Sequence, residues 1–389
     1  MQRDDPLQEG ERIMTICNAC RYCEGYCAVF PAMEKRLSFT SGDLNYLANL
    51  CHNCGECYNA CQYAPPHEFA VNVPRTLAEI RNTSYAEYGW PGPLARAFAR
   101  NGLGTALLVA ALLSAAMVAA SMILGGELWS AQPGGDFYAL VPHNVMVSMF
   151  GSVSLFVLFA FVMGFVRFWR HGGESMADLL RGRAWREALR DSLTLRYLHG
   201  GGAGCNQPDR ERSTLRRWFH HLTMYGFLLC FAATSVATVY HYGFGWVAPY
   251  GYFSVPNILG TVGGVGLVIG PAGLLWILYV RDAATTDPSA RGASAAFIVL
   301  LLLISVSGLA LMALRSTQWM GVLLIVHLAV VMALFITMPY GKFVHGLYRG
   351  VALLRYALEE ARGEQGPTTR TVPKPQTGHT ARAGTRDSG

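Results

Sequence analysis

The sequence predicts a mainly α protein: a helical N-terminal domain followed by a six-helix transmembrane bundle. Three observations predict it. Eight of the ten cysteines fall into two copies of C-x2-C-x2-C-x3-C, at Cys17, Cys20, Cys23 and Cys27 and again at Cys51, Cys54, Cys57 and Cys61. Beyond residue 101 the chain carries six apolar stretches, each close to the ~20 residues that a bilayer requires. Histidines recur at the ends of several of these stretches.

The cysteine runs come first in the chain and fix the chemistry. Three closely spaced thiolates and a fourth further off wrap a cubane [4Fe–4S] cluster. Two copies imply two clusters and a ferredoxin-like domain over 1–95. In the usual two-cluster arrangement the fourth cysteine of each run serves the other cluster. This assigns Cys17, Cys20, Cys23 and Cys61 to one, and Cys51, Cys54, Cys57 and Cys27 to the other. Zinc favours two C-x2-C halves separated by a longer loop, a poorer match to four cysteines within eleven residues. Without a secretory signal before them, the thiols are expected in a reducing compartment rather than in disulfides. Ala28 and Gln62 stand where proline commonly follows the fourth cysteine. Of the two cysteines outside the runs, Cys230 lies in an apolar stretch and reads as packing, and Cys205 lies in a glycine-rich loop with no evident partner.

The composition, 52% apolar and only 14% charged, fits a membrane protein with a soluble part. The spans are expected at 102–124, 144–165, 218–240, 257–280, 293–314 and 319–340, within a cytochrome b-like bundle over 96–350. The fourth contains GTVGGVG and Pro271, small residues for close helix approach and a proline able to kink. Net charge is +6, but the positive charges are localised, which speaks for topology and against nucleic-acid binding. Arg96 and Arg100 precede the first span, whereas the loop after it has acids and no Lys or Arg. The loop 167–217 holds eleven arginines, and Arg281, Arg291, Lys342, Arg349 and Arg355 follow on the same side. This alternation predicts a multi-pass protein of the bacterial inner membrane with both termini cytoplasmic. An amphipathic stretch in that loop, MADLLRGRAWREALRDSLTLRYL, suits a helix on the membrane surface or against the cluster domain. The segment 351–389 reads as a helix end followed by a polar, disordered tail.

Histidine ligates haem iron, and an electron carrier in a membrane needs a redox group there. His327 and His345 are eighteen residues apart, five turns and about 27 Å on a continuous helix, and would share a face. The third span carries His220 and His221 at its inner end and His241 at its outer end. The simplest arrangement is one or two b-type haems: an inner site of His345 with His221 or His220, and an outer one of His327 with His241 or His143. His220 and His241 lie about 60° off a common face, and His221 and His241 about 200° apart. Ionisable groups within spans are usually functional, which favours His327 most. No C-x2-C-H occurs, so covalent haem is excluded. No G-x-G-x-x-G opens a strand–helix unit either, so a flavin must come from a partner.

From QYAPPHEFAVNVPRTLAEIR, directly after Cys61, the chain resembles the tricarballylate (citrate) utilisation protein B family over nearly its whole length. Separately, HLAVVMALFITMPYGKFVH resembles the haem-bearing helix of the nitrate reductase gamma subunit, where two histidines eighteen apart flank a Pro–aromatic–x–Lys segment, here Pro339, Tyr340 and Lys342. That resemblance implies His327 and His345 as axial ligands. It departs on the partner helix: a ligand ten residues past His220 is expected, but Cys230 and Phe231 stand there. The first resemblance implies an electron-transfer protein that reoxidises a soluble, cytoplasmic FAD-dependent dehydrogenase of tricarballylate and reduces membrane quinone. The alternatives are reversed flow, quinol feeding a cytoplasmic reductase, and a membrane sensor or transporter. A transporter should show charges near the midplane, which these spans lack. Near a haem, His143, Lys342 and Tyr340 are candidates for the quinone site.

Overall fold

The computed structural model describes residues 5–123, 128–131, 133–202, 204–207 and 211–364. The tail expected to be disordered lies almost wholly outside the described residues.

Five short helices build the cysteine domain. α1 (Pro6–Cys20) starts at Asp5, whose carboxylate accepts from the Leu7 N–H, with Pro6 in the first turn. α2 spans Val29–Glu34, and α3 (Ser41–Leu50) opens on a reciprocal cap between Thr40 and Asp43. α4 (Glu56–Asn59) is a single turn, and α5 (Val73–Tyr88) is capped by Asn72. Each cap satisfies amide groups that the first helical turn leaves unpaired. The apolar faces meet in one core around Ile13, Met33, Leu47, Leu50, Leu77 and Ile80, all essentially buried.

α6 (Gly92–Arg100) leads into the bundle: α7 (Gly102–Ile123), α8 (His143–His171), α10 (Leu215–Phe244), α11 (Val255–Val280), α12 (Arg291–Leu314) and α13 (Met320–Thr337). All six are long and apolar enough to cross a membrane. Leu108, Leu112, Leu155, Leu158, Phe231 and Val262 point outward, as side chains facing lipid do. α10 packs along α11, α11 on α12, α12 on α13, and α13 on α7; α8 lies against α13 and α14. The α10–α11 contact is close because it is backbone on backbone. A Cβ on Gly263 would stand 2.8 Å from both the Gly226 carbonyl and the Cys230 sulfur, and one on Gly270 would stand 2.6 Å from Thr223. The helix continues through Pro271.

The chain departs from a continuous last helix. α13 ends at Thr337, and α14 (Val344–Glu364) begins after a six-residue turn containing Pro339. Proline has no N–H to give and crowds the carbonyl four residues back, so the helix stops there. The eighteen-residue interval between His327 and His345 is therefore not five helical turns. α14 also leaves the bundle: Tyr348, Leu354 and Leu358 are buried in the same core as Ile13 and Leu47, beside Trp169 of α8. Val351 to Leu358 of α14 thus contribute to the cysteine domain's core. The amphipathic stretch forms α9 (Gly182–Leu193), which packs on α14 through Ala184 and Ala188 and leaves Trp185 and Leu189 exposed.

Candidate functional site: two thiol quartets and an inner histidine pair

α1 ends on Cys17 and Cys20. Arg21 then adopts a left-handed conformation (φ 55°) and returns its N–H to the Cys17 carbonyl, turning the chain so that Cys23 and Cys27 follow in a loop. Cys51 ends α3. Asn53 (φ 53°) and Gly55 (φ 84°), both left-handed, fold the second motif back. At Gly55 such a φ costs no steric clash. Asn53 also gives its N–H to the Cys51 sulfur at 3.4 Å.

The fold sorts the eight thiols into two quartets. Burial pushes the Cys17 thiol up to about 12, helped by Cys23, Cys61 and Cys20 around it. Burial raises Cys27 well above the ordinary thiol range, followed by the charges of Cys54 and Cys51 and, more weakly, Cys23. It raises Cys57 likewise, followed by Cys54, Cys51, Cys27 and Cys23. The strongest of these influences run along the crossed assignment, the fourth cysteine of each run with the first three of the other. Unaided, such thiols keep their protons; a coordinated cation removes them. Among the described residues no three His, Cys, Asp or Glu side chains close on one point, as a single zinc ion needs. A cubane instead meets its four thiolates at four separate irons. The second quartet lines a small, partly open hollow together with Tyr26, His52 and Gly55.

The segment between α9 and α10 covers this quartet. A two-residue antiparallel pair, β1 (Cys205–Asn206) with β2 (Arg212–Ser213), places the Asn206 N–H on the Cys54 carbonyl at 3.0 Å. Gln207 donates to the Asn53 carbonyl, and Arg212 pairs with buried Glu56. Cys205 is buried, hydrogen-bonded to the Cys54 thiol and to the Leu198 carbonyl. The sequence left Cys205 without a partner; the covering segment supplies one.

The six candidate histidines separate. His220 of α10 and His345 of α14 face each other with ring centres 5.9 Å apart and planes at 71°. His345 Nδ1 donates to the Lys342 carbonyl, which leaves Nε2 with its lone pair. Burial holds this imidazole well below its ordinary pKa, reinforced by His220 and the charges of Arg349 and Lys342, so it is a neutral donor. His220 Nδ1 is buried with no partner among the described residues. Two imidazoles bound in trans, each about 2 Å from a metal, have ring centres about 6 Å apart. The inner pair is thus spaced as two imidazoles that share one metal ion are. Phe297 packs on His345 and on Phe343, which is stacked on Phe161 and in contact with Phe227.

At the other end of the bundle, His143 and His241 stack face to face at 4.2 Å and 19°, which leaves no room for an iron between them. His327 meets neither in a ring contact; its Nδ1 lies 3.0 Å from Ser307 Oγ, and its ring rests where a Cβ on Gly308 would be. His221, one residue beyond His220, stacks on Tyr225 instead. The histidines at the outer end do not fit a haem as arranged here.

Sequence reasoning missed what lies between the second quartet and the inner pair. His52, between Cys51 and Cys54, is buried with Nδ1 unpartnered. Burial lowers its pKa far below the ordinary value, followed by the charges of Arg349, Arg216 and Arg81, with His220 also in range. Arg216 donates to the His52 and Asn53 carbonyls, Arg349 to the Asn49 and Cys51 carbonyls, and Arg81 to the Ala48 and Cys51 carbonyls. Arg216 and Arg349 counted in the sequence only as topology charges. Their sole advance signal was that they flank candidate histidines by four residues, one helical turn.

A bundle of membrane-spanning length joined to a domain carrying two cubane-type cysteine motifs defines an iron–sulfur membrane electron-transfer protein. The chain belongs to the Citrate utilization protein B family: that family's pattern matches residues 99–366, and the pattern of its Fer4-like domain matches residues 10–87. It is 51% identical over 365 residues to Citrate utilization protein B of Escherichia coli, covering 93% of this chain and 94% of that one. No solved structure matches it.

Proposed function

We propose that this protein carries electrons from a reduced flavin on a soluble, cytoplasmic dehydrogenase, through two [4Fe–4S] clusters and one b-type haem, to membrane quinone. The observation that carries the reading is the placement of His52 in the hollow lined by Cys27, Cys51, Cys54 and Cys57, with Arg216 tying the His52 carbonyl to the helix whose His220 meets His345. When bound, the clusters and haem supply one-electron carriage. The chain's own residues hold them: eight cysteines for the clusters, His220 and His345 for the iron. The β1–β2 pair shields the second quartet, and Phe297, itself against Phe343, packs on His345. The first quartet lies beside exposed Tyr22, Arg21 and Glu24, a suitable entry for electrons. Tricarballylate as the dehydrogenase's substrate rests on family resemblance alone. In this reading the cysteine domain and both termini face the cytoplasm, since the arginine-rich loops lie at its end of the bundle.

The test is anaerobic purification of the full chain with metal, haem and spectroscopic analysis. About eight non-haem irons and one low-spin b haem per chain are expected, both reducible by the flavoprotein and reoxidised by a quinone. Zinc in place of iron, or iron for one cluster, overturns the cluster assignment; absence of haem overturns the route.

A further inference from the structure

Arg81 on α5, Arg216 on α10 and Arg349 on α14 meet on the backbone of residues 48–53, Lys342 stands over the Tyr85 ring in the turn before α14, and Arg281, directly after α11, is the fifth cation whose charge is felt there. Lys342 is pressed well below its ordinary pKa, first by burial and then by Arg81, Arg281, Arg349 and Arg216. Burial and the neighbouring arginines likewise bring Arg281 and Arg349 down to about 10. Among the described residues no ion pair joins any of the five to a carboxylate. Asp287 is a partial counter-charge to Arg281 and is engaged by Asn82 and Ser289. Arg81, Arg216 and Arg349 use part of their donor capacity on backbone carbonyls of 48–53. Lys342 and the Arg281 guanidinium donate to no described residue; Lys342 only stands over the Tyr85 ring at 5.4 Å.

Like charges gathered in a poorly solvated place repel one another and lose hydration, so such a group persists only where an anion offsets it. The shape of the neighbourhood says which anion. His345 lies three residues from Lys342 and four from Arg349, and His220 four from Arg216, so the cations flank the two rings that face each other. A b-type haem carries two propionate carboxylates on one edge. Arginine binds carboxylates through paired N–H bonds, and lysine as a point charge.

We propose that Arg81, Arg216, Arg281, Lys342 and Arg349 form the seat for the propionates of the haem held by His220 and His345. This deepens the proposed function and rests on its haem assignment. Such a seat would lie beside His52 and the backbone that carries Cys51, to which Arg81, Arg216 and Arg349 are bonded. The competing source of negative charge is the neighbouring iron–sulfur cluster, and the test separates the two.

The full chain, made in haem-deficient cells and purified in detergent, is titrated with haemin and with haemin dimethyl ester, whose carboxylates are blocked. Low-spin absorption reports binding. The wild type should prefer haemin by about tenfold or more, the value of one or two charged hydrogen bonds. Lys342→Gln/Arg281→Gln should bind the ester as the wild type does and lose most of the preference, to within about twofold. Neither side chain donates a hydrogen bond to the described residues, so the exchange breaks none of the fold's own bonds; the cluster EPR signal checks this. Lys342→Arg, which keeps the charge, should retain the preference. Equal binding of both forms by the wild type overturns the seat while leaving the haem assignment intact. So does a double variant that keeps its preference and shifts only the cluster's potential. No low-spin haem with either form overturns the haem assignment itself, and the seat with it.

Discussion

The tandem His220–His221 gives the sharpest test of the inner site, because adjacent residues on a helix diverge by about 100°. His220 faces His345 at 5.9 Å, whereas His221 stacks on Tyr225 at 5.7 Å with planes 9° apart. Replacing His220 by Ala deletes one of two axial donors and leaves His345 alone. Loss of a residue that only orients a metal ligand typically costs about 10–100-fold in affinity. Loss of a ligand should cost at least the upper figure, so with haem at about ten times the wild-type Kd the variant should retain about a tenth of its haem or less. His221→Ala removes an aromatic contact worth about 1 kcal/mol and should leave haem content unchanged. The assay is haem per chain by pyridine haemochrome, with the low-spin EPR signal as the readout of ligation and cluster EPR as the control for folding. A full low-spin spectrum in His220→Ala, or its loss in His221→Ala, would refute the assignment.

Three further outcomes follow from the packing. Cys61→Ser should damage the same cluster signal as Cys17→Ser, and Cys27→Ser the same as Cys54→Ser, each leaving about four non-haem irons; EPR pairing by motif instead would show that the runs do not cross. Arg36 and Arg355 clasp Asp43 and Glu359 in a nearly buried network that ties α14 to α3. Glu359→Ala removes one carboxylate from both guanidiniums, leaving Asp43 to Arg36 and Asp43 with Glu174 to Arg355, and should cost about 1–3 kcal/mol, read as a lowered cysteine-domain transition in thermal unfolding. Burial pushes the Asp43 carboxyl up, but hydrogen bonds from Arg36 and Thr40 outweigh it and hold it below the ordinary value. Its contribution should therefore be complete above about pH 4 and lost as the pH falls further; a pH-independent transition would contradict this. Gly270→Leu should part α10 from α11, since a Cβ there already meets Thr223 at 2.6 Å, and should broaden or abolish the low-spin haem spectrum by moving His220.

Cysteine spacing, span lengths and the helical class were legible in the sequence because each is a local property. A cubane motif is eleven residues long, and a span is one run of apolar side chains. The sorting of thiols into quartets is an expectation from spacing, which the paired cysteine variants above test. The histidine partners were not legible. Five turns of one helix seemed to join His327 to His345, but Pro339 breaks that helix, and no helical wheel says where a chain goes after a break. His143 came onto His241, and His327 onto Ser307, through the order in which helices pack. The cations beside His345 come from α5, α10, α11, α14 and a turn, scattered from residue 81 to residue 349. The sequence by itself determined the class of protein and the iron–sulfur character of its N-terminal domain. Only the tertiary structure decided which histidines meet and what charge surrounds them, because those depend on contacts between side chains far apart along the chain.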